Sequence, residues 1–407
     1  MKPESPFRPL RLAFVCFSSA RGGLELMLVR LADSLRQAGH HVIVISPDNS
    51  AIQESCHHVG IRHYALTPRT RYLDLAASGI LRKYFTRHST QIAIVGASKD
   101  ISTVVLVKRH VKGLRVAFFQ QMQSGIMKKD LFHRWAYGKL DRWITLTRAM
   151  KESAQSTTTV PAEMIEVVPL GVNLKRFAAS RYTRSTSRSR FRLPARPPIV
   201  GLVGRFDPQK GQETLLQAAA VILKKLPKTC FAIVGEETRG ESGYLNRLKR
   251  IVEELGIGRS VQFLPFTERV PELLAAFDVT AMPSYSETYG YLAIESMAMG
   301  VPVVGTNAGG LPEIIEDNST GILVPPKDPE ALARGVLKLL LDRRLSRAMS
   351  RHARRRATQY FDYNDSVRRF QEALTAALPE RDRREHCSAA KMRPTMNHQP
   401  RQFAKVP

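Results

Sequence analysis

The sequence is poor in cysteine, with four in 407 residues, and Cys16, Cys56, Cys230 and Cys387 stand far apart. They form no CxxC pair and no Cys/His cluster with metal-ligand spacing. That excludes a disulfide scaffold and a zinc module and points to reduced thiols in a cytosolic protein. Long apolar runs are missing as well, since none reaches the ~18–20 residues needed to span a bilayer. Met1 to Leu10 holds three prolines and no apolar h-region, so no secretory leader is expected. No GxGxxG follows a strand and no GxxxxGKS/T occurs, which weakens nicotinamide-enzyme and P-loop NTPase readings. There is no Gly-x-Ser-x-Gly elbow. There is also no Asp-x-Asp, one common means of holding a metal on a nucleotide diphosphate.

What is present is a strong excess of positive charge. Lys and Arg number 62 against 36 Asp and Glu, for a net charge of +26. Apolar residues make up 43% and charged residues 24%, as in ordinary soluble folded chains, and the length suits two domains. The charge is uneven. Residues 1–179 carry +14, 180–198 carry +6, 199–340 carry −3, 341–380 carry +4 and 381–407 carry +5. Asymmetry of this kind speaks about partners rather than fold.

Strand-like and helix-like runs alternate along the chain. Residues 11–17, 41–46, 91–95, 115–119, 143–147 and 165–168 read as strands, with helices near 24–38, 72–88, 99–112 and 130–140. The stretch 178–198 lacks an apolar period and predicts a flexible linker or a crossover. Alternation restarts with strands at 199–205, 230–235, 261–266, 278–284 and 301–306. Helices are expected over 211–226, 328–341, 343–357 and 364–378. The segment 381–407 is expected to be disordered. The pattern predicts an α/β protein of two doubly wound parallel-sheet domains, residues 8–177 and 199–357, facing each other across a cleft. A helical segment over 358–380 would return to the first domain. Ligands in such sheets bind outside the carboxyl ends of the strands.

Four segments fall at predicted carboxyl ends. In PSYSETYGYLAIE, Glu287 precedes a helix start near Tyr289-Gly290 and Glu295 lies eight residues on. Helix-start N–H groups and the positive dipole end suit a phosphate. Two flanking carboxylates can each accept a pair of vicinal hydroxyls, one from a sugar and one from a ribose. Taken alone, the pair also fits a cap and a surface carboxylate. In GRFDPQKG, Arg205 and Lys210 can grip a diphosphate and stabilise charge on a leaving group; alone, they also fit a solvated basic turn. Gly22-Gly23, within the segment 18–25, and Asn307-Ala308-Gly309-Gly310-Leu311-Pro312-Glu313 are strand-end glycine loops, which are turns or ligand-facing loops. Their joint placement favours a phosphate-containing ligand in the cleft.

These residues resemble retaining glycosyltransferases of family 4, with the GT-B architecture of two facing Rossmann-like domains. Glu287 and Glu295 match that family's E-x7-E signature, within PSYSE…Gly290…Glu295…GVPVV…GGLPE. Arg205 and Lys210 match its GRxxxxKG, and Gly22-Gly23 its N-terminal glycine loop. The resemblance spans about residues 10–378. It implies a nucleotide-diphospho-sugar substrate, no cofactor and no metal. Glu295 would hold the ribose hydroxyls and Glu287 a hydroxyl of the transferred sugar. Arg205, Lys210 and the backbone N–H groups of Thr288, Tyr289 and Gly290 would stabilise the leaving diphosphate, with Gly22 and Gly23 at the donor. Relatives often carry a His after the strand at 115–119, where this chain has Gln120 and Gln121. These can bond a sugar hydroxyl or pack in the core, and His133 reads as packing or surface. Thr288 and Tyr291 stand where relatives often have Gly and a small aliphatic residue, a departure bearing on sugar choice.

A nucleic-acid-binding protein is the alternative the charge suggests, but no helix-turn-helix, zinc or RNP1-like motif appears. An epimerase or phosphorylase of the same architecture fits the paired motifs less well, and a dead binding module would need a damaged donor site. The charge concentrates outside the donor half. The expectation is therefore a cytosolic enzyme at the inner membrane face, on an anionic membrane surface and without nucleic acid. It would modify a glycan or lipid-linked acceptor in cell-surface polysaccharide or lipopolysaccharide synthesis.

Overall fold

The computed structural model describes residues 8–20, 22–123, 125–237 and 243–387. The first sheet is built from Arg11–Val15 (β1), His41–Ser46 (β2), Arg62–Ala65 (β3), Ile92–Val95 (β4), Arg115–Gln120 (β5), Arg142–Thr145 (β6) and Ile165–Val167 (β7). Its order is β3-β2-β1-β4-β5-β6-β7 and its pairings are parallel. The second comprises Ile199–Val203 (β8), Cys230–Val234 (β9), Val261–Leu264 (β10), Val279–Met282 (β11), Val303–Thr306 (β12) and Ile322–Val324 (β13). Its order is β10-β9-β8-β11-β12-β13, again parallel. Central strands such as β4 and β9 are buried at every position, because helices cover both faces. Both orders reverse direction beside their first strand, at β1 and at β8, the switch points where ligands bind.

Two crossings join the halves. Val172 N–H donates to Phe361 O at 2.9 Å, and Tyr363 N–H donates to Val172 O at 3.1 Å. The helix Tyr363–Thr375 then lies on the first sheet. Asp362 caps its start by accepting from the N–H groups of Asn364 and Asp365. Phe370 packs edge-on against Phe119 of β5 at 5.0 Å, and the Tyr363 and Ser34 hydroxyls are 2.9 Å apart.

Three expectations need correction. The stretch 178–198 is not a bare linker: it contains the helix Arg184–Arg190, fixed by Arg188, which is 3% exposed. Arg188 pairs with Asp278 at 2.7 Å and donates to the carbonyls of Ala276, Ala195 and Pro197. An isolated run of Arg and Ser gives no helical period, so the order comes from tertiary bonds. The segment after Glu380 begins as a helix, Glu380–Cys387; residues 388–407 lie outside the described residues. The helix expected over 99–112 is shorter, a turn at Ser98–Asp100 followed by Ile101–Val107. Among the described residues no helix is long and apolar enough to cross a membrane.

Candidate functional site

The chain leaves β8 through Gly204-Arg205 and makes a tight turn over Pro208–Lys210, capped by Asp207. It leaves β11 through Pro283-Ser284 and enters the helix Tyr291–Met299 at Gly290. Two glycines lock these exits together. Gly211 has φ +72°, and an added Cβ would collide with the Pro283 carbonyl. Gly309 has φ +64°, and a Cβ there would collide with the Glu287 backbone. Tyr285 N–H donates to Gln209 O at 2.9 Å and Gly310 N–H to Glu287 O at 2.7 Å. The motifs separated in sequence thus become one construction.

At its centre Lys210 Nζ donates to Glu287 Oε2 at 2.7 Å, and Ser284 Oγ donates to the same oxygen at 3.2 Å. Both charged side chains are partly buried, Lys210 29% and Glu287 14% exposed, so the bond is charge-assisted and only partly screened. A cavity of about 150 Å³ lies against Lys210, Ser284, Glu287, Tyr291 and Leu292. Glu287 keeps its second oxygen for a hydroxyl, and Lys210 keeps further protons for an anion. Arg205 does not join this pair. It sits 49% exposed beside Asp207 at 3.4 Å, poised at the rim. Thr288 is partly exposed, whereas Tyr289 is buried with its hydroxyl donating to Leu170 O. Tyr291 donates likewise to Gly171 O at 2.7 Å. These two tyrosines tie the loop to the crossing, so Tyr289 has only backbone to offer a ligand.

Glu295 follows on the same helix, partly buried. Burial pushes its carboxyl from 4.5 up to about 7, while Arg30 and Arg176 pull it back down. Arg30 comes from the first half, on the helix Gly23–Gln37 that opens at Gly22. At Gly23 a Cβ would meet nothing within 4 Å, so packing does not demand glycine there. Gly22 lies against Glu25, which accepts from Ser18 at 2.5 Å.

On the first sheet the two glutamines separate. Gln120 is 7% exposed and spent internally, accepting from Trp143 Nε1 at 2.8 Å and donating to Met122 O at 3.1 Å. Gln121 has a buried Nε2 with no hydrogen-bond partner among the described residues. His133 pairs with Asp130 at 2.6 Å, on a surface helix. Cys16, Cys56 and Cys230 are buried, and burial pushes these thiols up to about 12, 12 and 11. They are inert packing groups.

Several contacts at the cleft were not read from the sequence, although Glu313 ends the loop 307–313 singled out above. Glu313 reaches across it and accepts from Arg148 N–H at 2.8 Å and Ala149 N–H at 2.9 Å, the start of the helix Arg148–Thr157. Its place in the GGLPE run was the available signal. Buried Asp100 accepts from Phe17 N–H at 2.7 Å, and burial pushes it up to about 6. Lys128 donates to Ser98 Oγ at 3.2 Å and is lowered by burial. Nothing in the local sequence marks these two as inward-facing.

Comparison with known proteins agrees with this geometry. The family described as Glycosyltransferase Family 4 matches residues 21–176, and that described as Glycosyl transferases group 1 matches residues 183–356. A protein of Corynebacterium jeikeium named D-inositol 3-phosphate glycosyltransferase is 40% identical over 204 residues, 48% of each chain. The chain thus spans about half the length of the curated relatives it matches. Among solved structures, a glycosyltransferase from Rickettsia africae superposes with a TM-score of 0.84 at 20% identity, over 92% of this chain and all of that one. Anabaena HepE in complex with UDP and glucose superposes at 0.78 with 22% identity, over 90% of this chain and 99% of that one. With its two halves matched in order by these two family models, the chain belongs to the family 4 glycosyltransferases, and it shares the fold of these structures.

Proposed function

We propose that this protein transfers a sugar from a nucleotide-diphospho-sugar to a glycan or lipid-linked acceptor, with retention at the anomeric carbon and without a metal. The observation that carries this is the Lys210–Glu287 bond of 2.7 Å at the joined ends of β8 and β11. The bond between the anomeric carbon and the diphosphate oxygen breaks, and charge develops on the leaving diphosphate. Lys210, the rim guanidinium of Arg205 and the N–H groups at Thr288–Gly290 face that charge, the task a metal performs in other enzymes. Glu287 holds a hydroxyl of the sugar, Glu295 the ribose, and the free amide of Gln121 a further sugar hydroxyl. Gly22 and Gly23 let the first half approach the donor. The new bond forms to an acceptor hydroxyl bound at the first sheet, and the hydroxyl's proton passes to the departing diphosphate oxygen.

The setting is cell-surface polysaccharide or lipopolysaccharide synthesis, at the cytoplasmic face of an anionic membrane. A phosphorylated polyol acceptor is a second reading. Lys99 and Lys128 near the carboxyl end of β4, and the name of the Corynebacterium relative, favour it. UDP-, GDP- and ADP-sugars incubated with lipid-linked glycans and with inositol phosphates separate the two. The expected result is acceptor-dependent nucleotide release and a product of unchanged anomeric configuration by NMR. Inversion would remove the retaining assignment, and no release with any pair would remove the transferase reading.

A further inference from the structure

Nine of the twelve large hydrophobic side chains most exposed among the described residues fall within residues 72–135. Leu131 is 81% exposed, Leu75 72% and Ile126 65%, beside Met122, Met127 and Trp135. Contacts tie the segments that carry them together. Leu73 N–H donates to Ser102 Oγ and Asp74 N–H to Thr103 Oγ1, both at 3.1 Å. Lys128 binds Ser98 at the start of the same helical segment. Tyr72 stacks edge-on with Phe132 at 6.2 Å, and Phe132 lies 6.0 Å from Trp135.

The presentation is rigid. Buried Asp74 accepts from the N–H groups of Arg69, Thr70 and Ala77, closing the turn that displays Tyr72 and Leu73. Leu73 is held at φ +50°, a conformation a leucine adopts only under constraint. An apolar cluster of this size on a soluble protein marks an interaction site. Its rim is cationic: residues 66–140 hold 14 Lys and Arg against three Asp and no Glu. Arg69, Arg71, Lys129 and Arg134 are exposed around the apolar residues. Apolar side chains ringed by cations suit an interface of acyl chains and anionic headgroups.

We infer that this face, built from the turn at 69–75, residues 126–129 and the helix Leu131–Tyr137, docks on an anionic phospholipid bilayer. The surface lies beside the carboxyl ends of β4 and β5, so docking would present a lipid-linked acceptor to the first sheet. In that orientation it rests on the acceptor reading above; as a membrane contact it stands independently.

Trp135 lies in the patch and Trp143, the other tryptophan, is 3% exposed, so emission changes report this face. The full chain is mixed with vesicles of phosphatidylcholine alone and of phosphatidylcholine with phosphatidylglycerol. The expected result is co-sedimentation and a blue shift with anionic vesicles only, weakening with salt. The variant Leu75→Ser/Ile126→Ser/Leu131→Ser should bind at least about tenfold more weakly while keeping the parent's melting temperature. Arg71→Gln/Lys129→Gln/Arg134→Gln, which removes three exposed cations and one ring contact, Arg71 over Tyr72 at 5.6 Å, should show the same loss. Binding to neither vesicle, equal binding to both, undiminished binding of both variants, or a blue shift that tracks protein concentration without lipid would overturn the proposal. Donor-induced stabilisation, measured in parallel, separates its failure from that of the transferase reading.

Discussion

Glu295 carries a carboxyl that burial pushes up to about 7, with Arg30 and Arg176 only partly offsetting the cost. The unfolded chain ionises this group near 4.5, so between about pH 4.5 and 7 the folded form binds the extra proton. Stability therefore falls as pH rises through that window. Glu295→Gln should flatten the fall and raise the melting temperature near pH 8, a gain on the order of 2 kcal/mol. It should also shrink the rise in melting temperature that a nucleotide sugar produces. A side chain kept at a stability cost for binding gives that opposed pair of effects. Lys210→Ala should lower kcat by about 10²–10³, the loss typical of removing one preorganised donor to developing charge. Steady-state kinetics with saturating donor check it. Residue identities at this scale were legible because Arg205, Lys210, Glu287 and Glu295 sit in contiguous motifs. Arg30, Glu313 and Lys128 were not, since their roles depend on what faces them from other elements.

At the scale of elements, strands with unbroken apolar runs such as β1, β2 and β9 could be read directly, because both of their faces are covered. β3 (RHYA) and β13 (ILV) could not. The first pairs at a sheet edge with polar side chains, and the second is three residues long. The helix Arg184–Arg190 is the more instructive miss. Asp278 also accepts from Ile199 N–H at 2.7 Å and pairs with Arg184 at 2.6 Å, so one carboxylate, with buried Arg188 at its centre, stitches that helix to the start of β8. Arg188→Ala leaves the Asp278 carboxylate short of its buried partner and several carbonyls unpaired. The expected loss is about 3 kcal/mol, read as a lowered urea midpoint. An unchanged midpoint would mean the segment behaves as the linker its composition suggests.

The whole molecule is two units joined at the crossing and sharing one hydrophobic cluster, with Glu313 reaching from the second half to the start of the helix Arg148–Thr157. Its carboxylate caps that helix as an N-cap residue would, a contribution of about 1 kcal/mol. Glu313→Ala should widen the cleft, seen as a larger radius of gyration by small-angle scattering, with the compaction caused by donor retained. The charge of +26 divides along the same line. Residues 199–340, holding Lys210, Glu287 and Glu295, are slightly acidic, and the cations gather on the first half, where the exposed apolar face lies, in 180–198 and after residue 340.

The most direct test of the central claim is a thermal-shift series with UDP-, GDP- and ADP-sugars on the full chain, Lys210→Ala and Glu295→Ala. The account predicts that at least one nucleotide sugar raises the melting temperature of the parent and leaves both variants nearly unmoved. No shift with any nucleotide sugar, or an equal shift in all three proteins, would contradict it.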